Sequence, residues 1–328
     1  MPTKSQQRVA RYYARQNPQR PAWGYQYQPA IRAVREEAPA RSRPTIISAE
    51  NRLGRTLHLL SRAEVGPMLL ALYAPFVFDV HEQRVLDPAP TPHPLHGHPT
   101  RGVGQLYRSL PGTWAVAAEL GYEKFHPRFP FTDSVGRRRQ APHPLVGDIL
   151  LFVTSEDGCS AYCVNWNIKA TPADFTRRLN DFTERKPILS EQRAVARHAI
   201  ERAYYAAAGI ATHEIAADSL PPTLVATLRE TFAAACRPPL PAAVGHAIVE
   251  RLRHIVGSQI TPAQLLTQCS AEYGVNHEAF RDTLLTAVWH RELRLDLFDR
   301  IYFDRPLRPE KIDVLEQYAQ WFAAGDAA

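Results

Sequence analysis

Cysteine is scarce in this chain: Cys159, Cys163, Cys236 and Cys269 are the only four in 328 residues, and none form a C-x-x-C pair. That excludes a disulfide scaffold, argues against a zinc knuckle and points to reduced thiols. No run of about 18 apolar residues occurs, so no membrane-spanning helix is expected. The opening stretch, MPTKSQQRVARYYAR, has none of the apolar core of a signal peptide, and the expectation is a soluble, cytoplasmic protein. Internal repeats and low-complexity segments are also missing. What is present, 45% hydrophobic residues over this length, suffices for two cored domains and excludes wholesale disorder.

The net charge of +6 is unevenly placed. Residues 1–44 hold nine basic residues, Lys4 and Arg8, Arg11, Arg15, Arg20, Arg32, Arg35, Arg41 and Arg43, against Glu36 and Glu37. The rest of the chain sums to −1. Tyr12, Tyr13, Trp23, Tyr25 and Tyr27 are interleaved with these arginines. Arginines neutralise phosphates and aromatic faces stack on bases, so one reading is a nucleic-acid-binding arm through Arg8, Arg11 and Arg15. The other is a strap that packs Trp23 on a domain surface.

After the arm, apolar spacing predicts a helix over 62–74, and FVFDV (76–80) reads as a strand. Ten prolines between 84 and 145 forbid long regular elements there, although WAVAAELGY (114–122) has helical character. GDILLFVT (147–154) and AYCVNWNIKA (161–170), joined through Asp157-Gly158, predict a hairpin. A helix is expected within 172–185, another from Glu191 to about Ala208 capped by Ser190, and a strand over 210–216. Pro221-Pro222 mark a domain boundary. Beyond it four helical stretches (224–236, 242–256, 262–274, 277–293) precede LRLDLF (293–298) and RIYFD (300–304), a winged-helix outline. The expected domains are therefore an arm at 1–44, an α/β domain at 45–220 and a mainly helical domain at 221–328.

On the second hairpin strand, alternation places Tyr162, Val164, Trp166 and Ile168 on one face and Cys163, Asn165, Asn167 and Lys169 on the other. The first face is apolar. The second brings Asn167 and Lys169 together beside Asp148 at the start of the partner strand. Carboxylate and amide oxygens suit hard Mg²⁺, and a lysine orients water and offsets phosphate charge, as metal-assisted phosphodiester hydrolysis requires. Glu64 is the candidate second carboxylate, although Ser61-x-x-Glu64 also fits a capping box. Arg137, Arg138 and Arg139 form a tri-basic run that reads either as a solvated loop or as a DNA contact. His93, His96 and His98 lie close together, but the surrounding Pro and Gly offer no rigid scaffold for a metal.

Taken in order, these residues resemble the TnsA family, the endonuclease subunit of heteromeric transposases. The family's opening GR-x-x-HLLS-x-x-E appears as Gly54-Arg55, His58-Leu59-Leu60-Ser61 and Glu64. Its D-x-x-EQ stretch is Asp79 to Gln83, its DFL-like strand Asp148-Ile149-Leu150, and its QVK-like strand Asn167-Ile168-Lys169. A helix of the ELERRYW type matches at 199–210. The resemblance runs over about 54–216 and implies a restriction-endonuclease-like mixed-sheet nuclease core with a winged-helix-like C-terminal domain. It further implies Mg²⁺ (Mn²⁺ substituting) held by Glu64, Asp148 and Asn167, and Lys169 positioning water. The substrate would be double-stranded DNA at transposon ends. The expected partners are a DDE-type TnsB-like transposase and an AAA+ TnsC-like ATPase docked on the C-terminal domain.

Four features depart from the pattern. Asn167 stands in place of a longer Gln, Gly66-Pro67 follows Glu64 closely, His81 replaces a frequent Arg, and residues 171–190 look like an addition. The Gly66-Pro67 pair leads to the expectation that the helix starts late or kinks. Two alternatives stay open: a TnsA-like adaptor without cleavage, and a free-standing restriction or repair nuclease.

Overall fold

The computed structural model describes residues 3–40, 42–101, 104–158, 160–176 and 187–325, with only the backbone given for 187–190. It is a mixed α/β protein in two compact units. One comprises Met1–Val65, Phe76–Asp218 and Gln320–Ala328; the other comprises Gly66–Pro75 and Ser219–Ala319. Among the described residues no helix is long and apolar enough to cross a membrane.

The chain opens with helix α1 (Lys4–Arg15), started by a Thr3–Gln6 capping box. Val9, Tyr12 and Gln16 recur at helical spacing and are buried. A hairpin of β1 (Thr45–Ser48) and β2 (Thr56–Leu59) follows, interrupted by the single turn α2 (Glu50–Leu53). Gly54 closes α2 at φ +68°, a left-handed position that a side chain resists. Helix α3 (Val65–Tyr73) then leads to β3 (Val77–Glu82) and β4 (Val85–Leu86). Next come α4 (Thr113–Glu119), the ribbon β5 (Arg128–Thr132) and β6 (Arg138–Pro142), and β7 (Leu145–Val146). The main hairpin is β8 (Ile149–Thr154) and β9 (Ala161–Lys169), followed by α5 (Pro187–Ala206) and β10 (Ala211–Ala216).

The central sheet runs β10–β9–β8–β3, antiparallel except for the parallel pair β9–β10. Leu150, Phe152 and Cys163 point into a core with Ile200, Tyr204 and Tyr205 of α5 and Val116 of α4. On the opposite face, Trp166 meets Trp321 and Phe322 at ring distances of 6.0 and 5.2 Å. Its indole N–H donates to the Trp321 carbonyl at 2.6 Å, and the Tyr162 hydroxyl to the Phe322 carbonyl at 3.1 Å. Strand β9 is thus buried on both faces, not on one as alternation alone suggests, because β8 and β10 flank it and α5 covers the polar side.

The N-terminal segment is a packed strap. Trp23 donates its indole N–H to the Pro94 carbonyl (3.1 Å), and Tyr27 stacks on His81 at 3.7 Å. Gln16 donates to the Tyr27 hydroxyl and the Gln83 carbonyl (both 3.0 Å) and accepts from Val85 N–H (2.8 Å). Arg15 turns inward onto Glu37 through bonds of 2.6 and 2.7 Å.

One local expectation is met and two need correction. The α-helix does start late: Arg62–Glu64 forms a 3-10 turn and α3 begins only at Val65, with Pro67 in its first turn, where a missing N–H costs nothing. Helix α5 begins at Pro187, which places Ser190 inside it and not at its cap. Of the helix expected within 172–185, only a 3-10 turn over Pro172–Phe175 falls in the described residues; the remainder, like Arg41 and Cys159, lies outside them.

The second unit holds α3 and four helices, α6 (Pro222–Ala235), α7 (Ala242–Ile255), α8 (Pro262–Tyr273) and α9 (His277–Trp289), with a last turn α10 (Val314–Gln317). Gly66 brings α3 against Val225 and Leu220, whose methyls lie 3.0 and 3.1 Å from where a Cβ would stand. The wing expected from 293–304 does not form. Asp296 and Asp299 bond the backbone N–H groups of Phe298 and Arg300, ending extended structure, and the chain returns instead at Arg308–Glu310. What remains is a single Leu295–Pro309 bridge.

The Arg15 hydrogen bonds, acting against burial and helped by Arg32 N–H, hold the Glu37 carboxyl down at about 2. Its stabilisation is therefore complete above the unfolded value of 4.5 and lost as pH falls toward 2. Glu37→Gln should lower stability at pH 7 by about 1–3 kcal/mol. Urea melts across pH should show a shallower acid loss in the variant; parallel profiles would refute the assignment.

Candidate active site

The register of the main hairpin assembles the site. Ile149 pairs with Trp166, so Asp148, one residue earlier, sits opposite the Asn167–Lys169 end of β9. The Lys169 ammonium donates to Asp148 Oδ2 (3.1 Å), Asn167 Oδ1 (2.9 Å) and the Ile168 carbonyl (2.9 Å). Ile168 N–H donates to the same Asp148 oxygen at 2.9 Å. Burial pushes the Asp148 carboxyl up, but Lys169, Arg197 and this N–H outweigh it and hold it below the usual aspartate value.

Glu64 ends a 3-10 turn (Arg62–Glu64) just before α3 and is buried. Its carboxylate accepts from Leu60 N–H (3.0 Å) and the Ser61 hydroxyl (2.7 Å). The Ser61 side chain makes no cap bond, and the Glu64 carboxylate takes the N–H of Leu60 and not that of Ser61, so the expected capping box does not form. Burial, then the nearby charge of Asp148, raises the Glu64 carboxyl above the ordinary glutamate value. Gln83 bridges to it, donating to Glu64 Oε2 at 3.4 Å, and its own N–H donates to the Asp148 carbonyl at 2.9 Å. Gln83 adopts φ 52°, a strained conformation for a non-glycine residue.

One member of the site, His198, was not foreseen from the sequence. An ammonium only donates, so the Asn167 atom facing Lys169 is the oxygen. The amide nitrogen therefore faces His198 Nδ1, 2.5 Å away, and that nitrogen must accept. Burial and the charges of Lys169 and Arg197 push His198 down to about 4, which keeps it neutral and able to accept. One turn on along α5, Glu201 accepts from Asn165 at 3.1 Å and is buried from solvent. The helical pair His198–Glu201 was the available signal, since both point at the polar side of β9.

The remaining residues that carry the resemblance are structural. Arg55 bonds both Glu82 oxygens at 2.9 Å and lies over the Tyr27 ring at 4.8 Å. Glu82 Oε1 accepts from His58 N–H (3.1 Å), and Asp79 accepts from Gly24 N–H (2.7 Å). His81 is fully buried, which depresses its basicity to about 3. His93 stacks on Tyr107, and His93 and His98 accept from neighbouring backbone N–H groups, so these rings hold their own loop.

Among the described residues no three His, Cys, Asp or Glu side chains form a metal nest. The Glu64, Asp148 and Asn167 oxygens are instead two carboxylates and an amide, a donor chemistry that fits a hard divalent cation. The raised Glu64 carboxyl, beside an ionised Asp148, fits a site with negative charge to share. Comparison with protein-family models and with curated proteins returns no match for this chain.

Second-sphere groups commonly tune metal affinity by 10–100-fold. His198→Ala should therefore weaken Mn²⁺ binding by about 10-fold, while His198→Gln, whose amide oxygen can accept, retains most of it. Calorimetric titration with Mn²⁺ decides this, and equal affinity in wild type and His198→Ala would remove the role.

Proposed function

We propose that this chain is a Mg²⁺-dependent DNA endonuclease subunit of a transposase, cleaving the 5′ strands at transposon ends in the cytoplasm. The observation that carries the reading is the convergence of Lys169, Asp148 and the Asn167 oxygen at one sheet end, with the Glu64 carboxylate close enough to feel Asp148. The TnsA resemblance of the ordered motifs supports the class. A four-stranded mixed sheet crossed by α5 is compatible with a restriction-endonuclease-like core, and the helical second unit with a reduced winged-helix domain.

Glu64, Asp148 and Asn167 would hold the cation, which supplies Lewis acidity at the scissile phosphate. Lys169 gives all three of its N–H donors to oxygens of Asp148, Asn167 and Ile168. Where a cation shares the first two, those donors can turn to a phosphate oxygen or the attacking water. His198 keeps the Asn167 oxygen aimed at that centre, offsetting the shortness of Asn.

A TnsB-like transposase and a TnsC-like ATPase are the proposed partners. The second unit has a cavity of about 530 Å³, lined by Arg237, Val249, Asp282 and Thr286 among others, as a docking feature for the latter. The adaptor reading has one observation in its favour: Glu64 is already held by Leu60 and Ser61.

Nicking of labelled transposon-end DNA, with the cognate transposase and ATPase and Mg²⁺ or Mn²⁺, tests the proposal. Wild type should cut the 5′ strands; Asp148→Ala and Lys169→Ala should each lose at least about 100-fold, the scale of general acid–base and electrostatic contributions. Cleavage unchanged in both variants would place the active site elsewhere. No 5′ cut by wild type, with the transposase still active, would leave an adaptor.

A further inference from the structure

The β5–β6 ribbon has two unlike faces. Its register opposes Thr132 to Arg138, Pro130 to Gln140 and Arg128 to Pro142, and directly opposed residues share a face. Arg128, Pro130, Thr132, Arg138 and Gln140 on that face are exposed. The other face carries Phe129 and Phe131, both half-buried. Phe129 meets the His143 ring at 5.9 Å and His143 meets Tyr12 of α1 at 6.0 Å, so the ribbon rests on the N-terminal helix.

Its tip is fixed. Asp133 accepts from Arg137 N–H (2.8 Å) and Val135 N–H (3.1 Å), and pairs with Arg139 at 2.7 Å. Arg139 is thereby neutralised, whereas Arg137 and Arg138 have no ion-pair partner among the described residues. Arg128, at the base, stacks on Trp114 at 4.8 Å. Arg8 of α1 is exposed one turn before Tyr12, near enough for its charge to act, after burial, on His143. Two basic segments far apart in sequence thus adjoin. Arg15, bound to Glu37, is not part of this surface.

We propose that the outward face of the β5–β6 ribbon, with Arg8 beside it, binds duplex DNA, Arg137 and Arg8 on phosphates and Arg138 and Gln140 on base edges. This rests on the reading that the substrate is DNA, but not on cleavage. The major groove of B-form DNA, about 12 Å wide, admits a two-stranded ribbon. A guanidinium matches guanine O6 and N7, and a Gln amide matches adenine N6 and N7. The deep, narrow major groove of an RNA duplex admits no such ribbon. An acidic protein partner would use the charge but not the Gln140 amide.

The test is fluorescence anisotropy of the full chain on a labelled 30-base-pair transposon-end duplex in EDTA, over a series of salt concentrations. Arg137→Ala/Arg138→Ala should bind at least about 10-fold more weakly, with a log–log salt slope shallower by about 0.9, the value for the one phosphate that Arg137 no longer neutralises. Gln140→Ala should narrow the gap between this duplex and a scrambled one. An RNA duplex of the same sequence should bind more weakly than DNA. Affinity and slope unchanged in the double Arg variant would overturn the proposal, as would equal binding of RNA and DNA. Binding through the ribbon, together with no 5′ nicking by wild type in the assay with transposase, ATPase and Mg²⁺, would instead sink the nuclease reading and leave this surface standing.

Discussion

In the pair β8–β9, Leu150 lies opposite Asn165 and Phe152 opposite Cys163, and the rest of the site follows from that alignment. A slip of one residue would send Asn167 and Lys169 to the face now held by Trp166 and Ile168, and would leave Asp148 without either partner. Burial on both faces guards the register. Leu150, Leu151, Phe152 and Val153 are all sealed from solvent, so any other alignment would place polar groups against these apolar side chains. The ammonium of Lys169 and the N–H of Ile168, both bound to one Asp148 oxygen, then fix the strand ends.

A second set of buried polar contacts ties the N-terminal strap to that sheet end. Gln83 is its centre: its carbonyl accepts from Gln16 and Ala30, its N–H reaches Asp148, and its amide reaches Glu64. A left-handed non-glycine residue costs about 1–3 kcal/mol and persists only where its surroundings over-determine it. Here those surroundings are the strap on one side and, on the other, the Glu64 carboxylate and the Asp148 main-chain carbonyl. Tyr27, between Arg55 and His81, closes the same cluster by stacking and by donating its hydroxyl hydrogen to the Glu82 carbonyl at 2.8 Å.

The main hairpin was legible because its signals are local: two apolar runs around Asp157-Gly158, with Gly158 at φ +69°. Asp148, Asn167 and Lys169 were legible because alternation within a strand is a property of the backbone. His198 was not, since its role depends on which side of β9 is covered by a helix residue 31 positions beyond Asn167. The strap was half legible. Its arginines and aromatics suggested either an arm or a packed segment, and only Gln16, a residue without any sequence signature, shows how it is held. The wing failed for a local reason that was visible: Asp296 and Asp299 are residues that bond their own backbone and interrupt strands.

Residues 320–325 rejoin the first unit after the whole of Ser219–Ala319 has intervened. The acceptor for the buried Trp166 indole is a carbonyl 155 positions downstream, and His213 likewise lies 3.0 Å from the Ala323 carbonyl. During synthesis at 5–20 residues per second, that delay is about 8–30 s. The second unit is fully translated before the last piece of the first emerges. The Trp166 indole therefore waits without its acceptor until residues 320–325 have been made. Seen as a nascent chain, the first unit closes only after the second has been made.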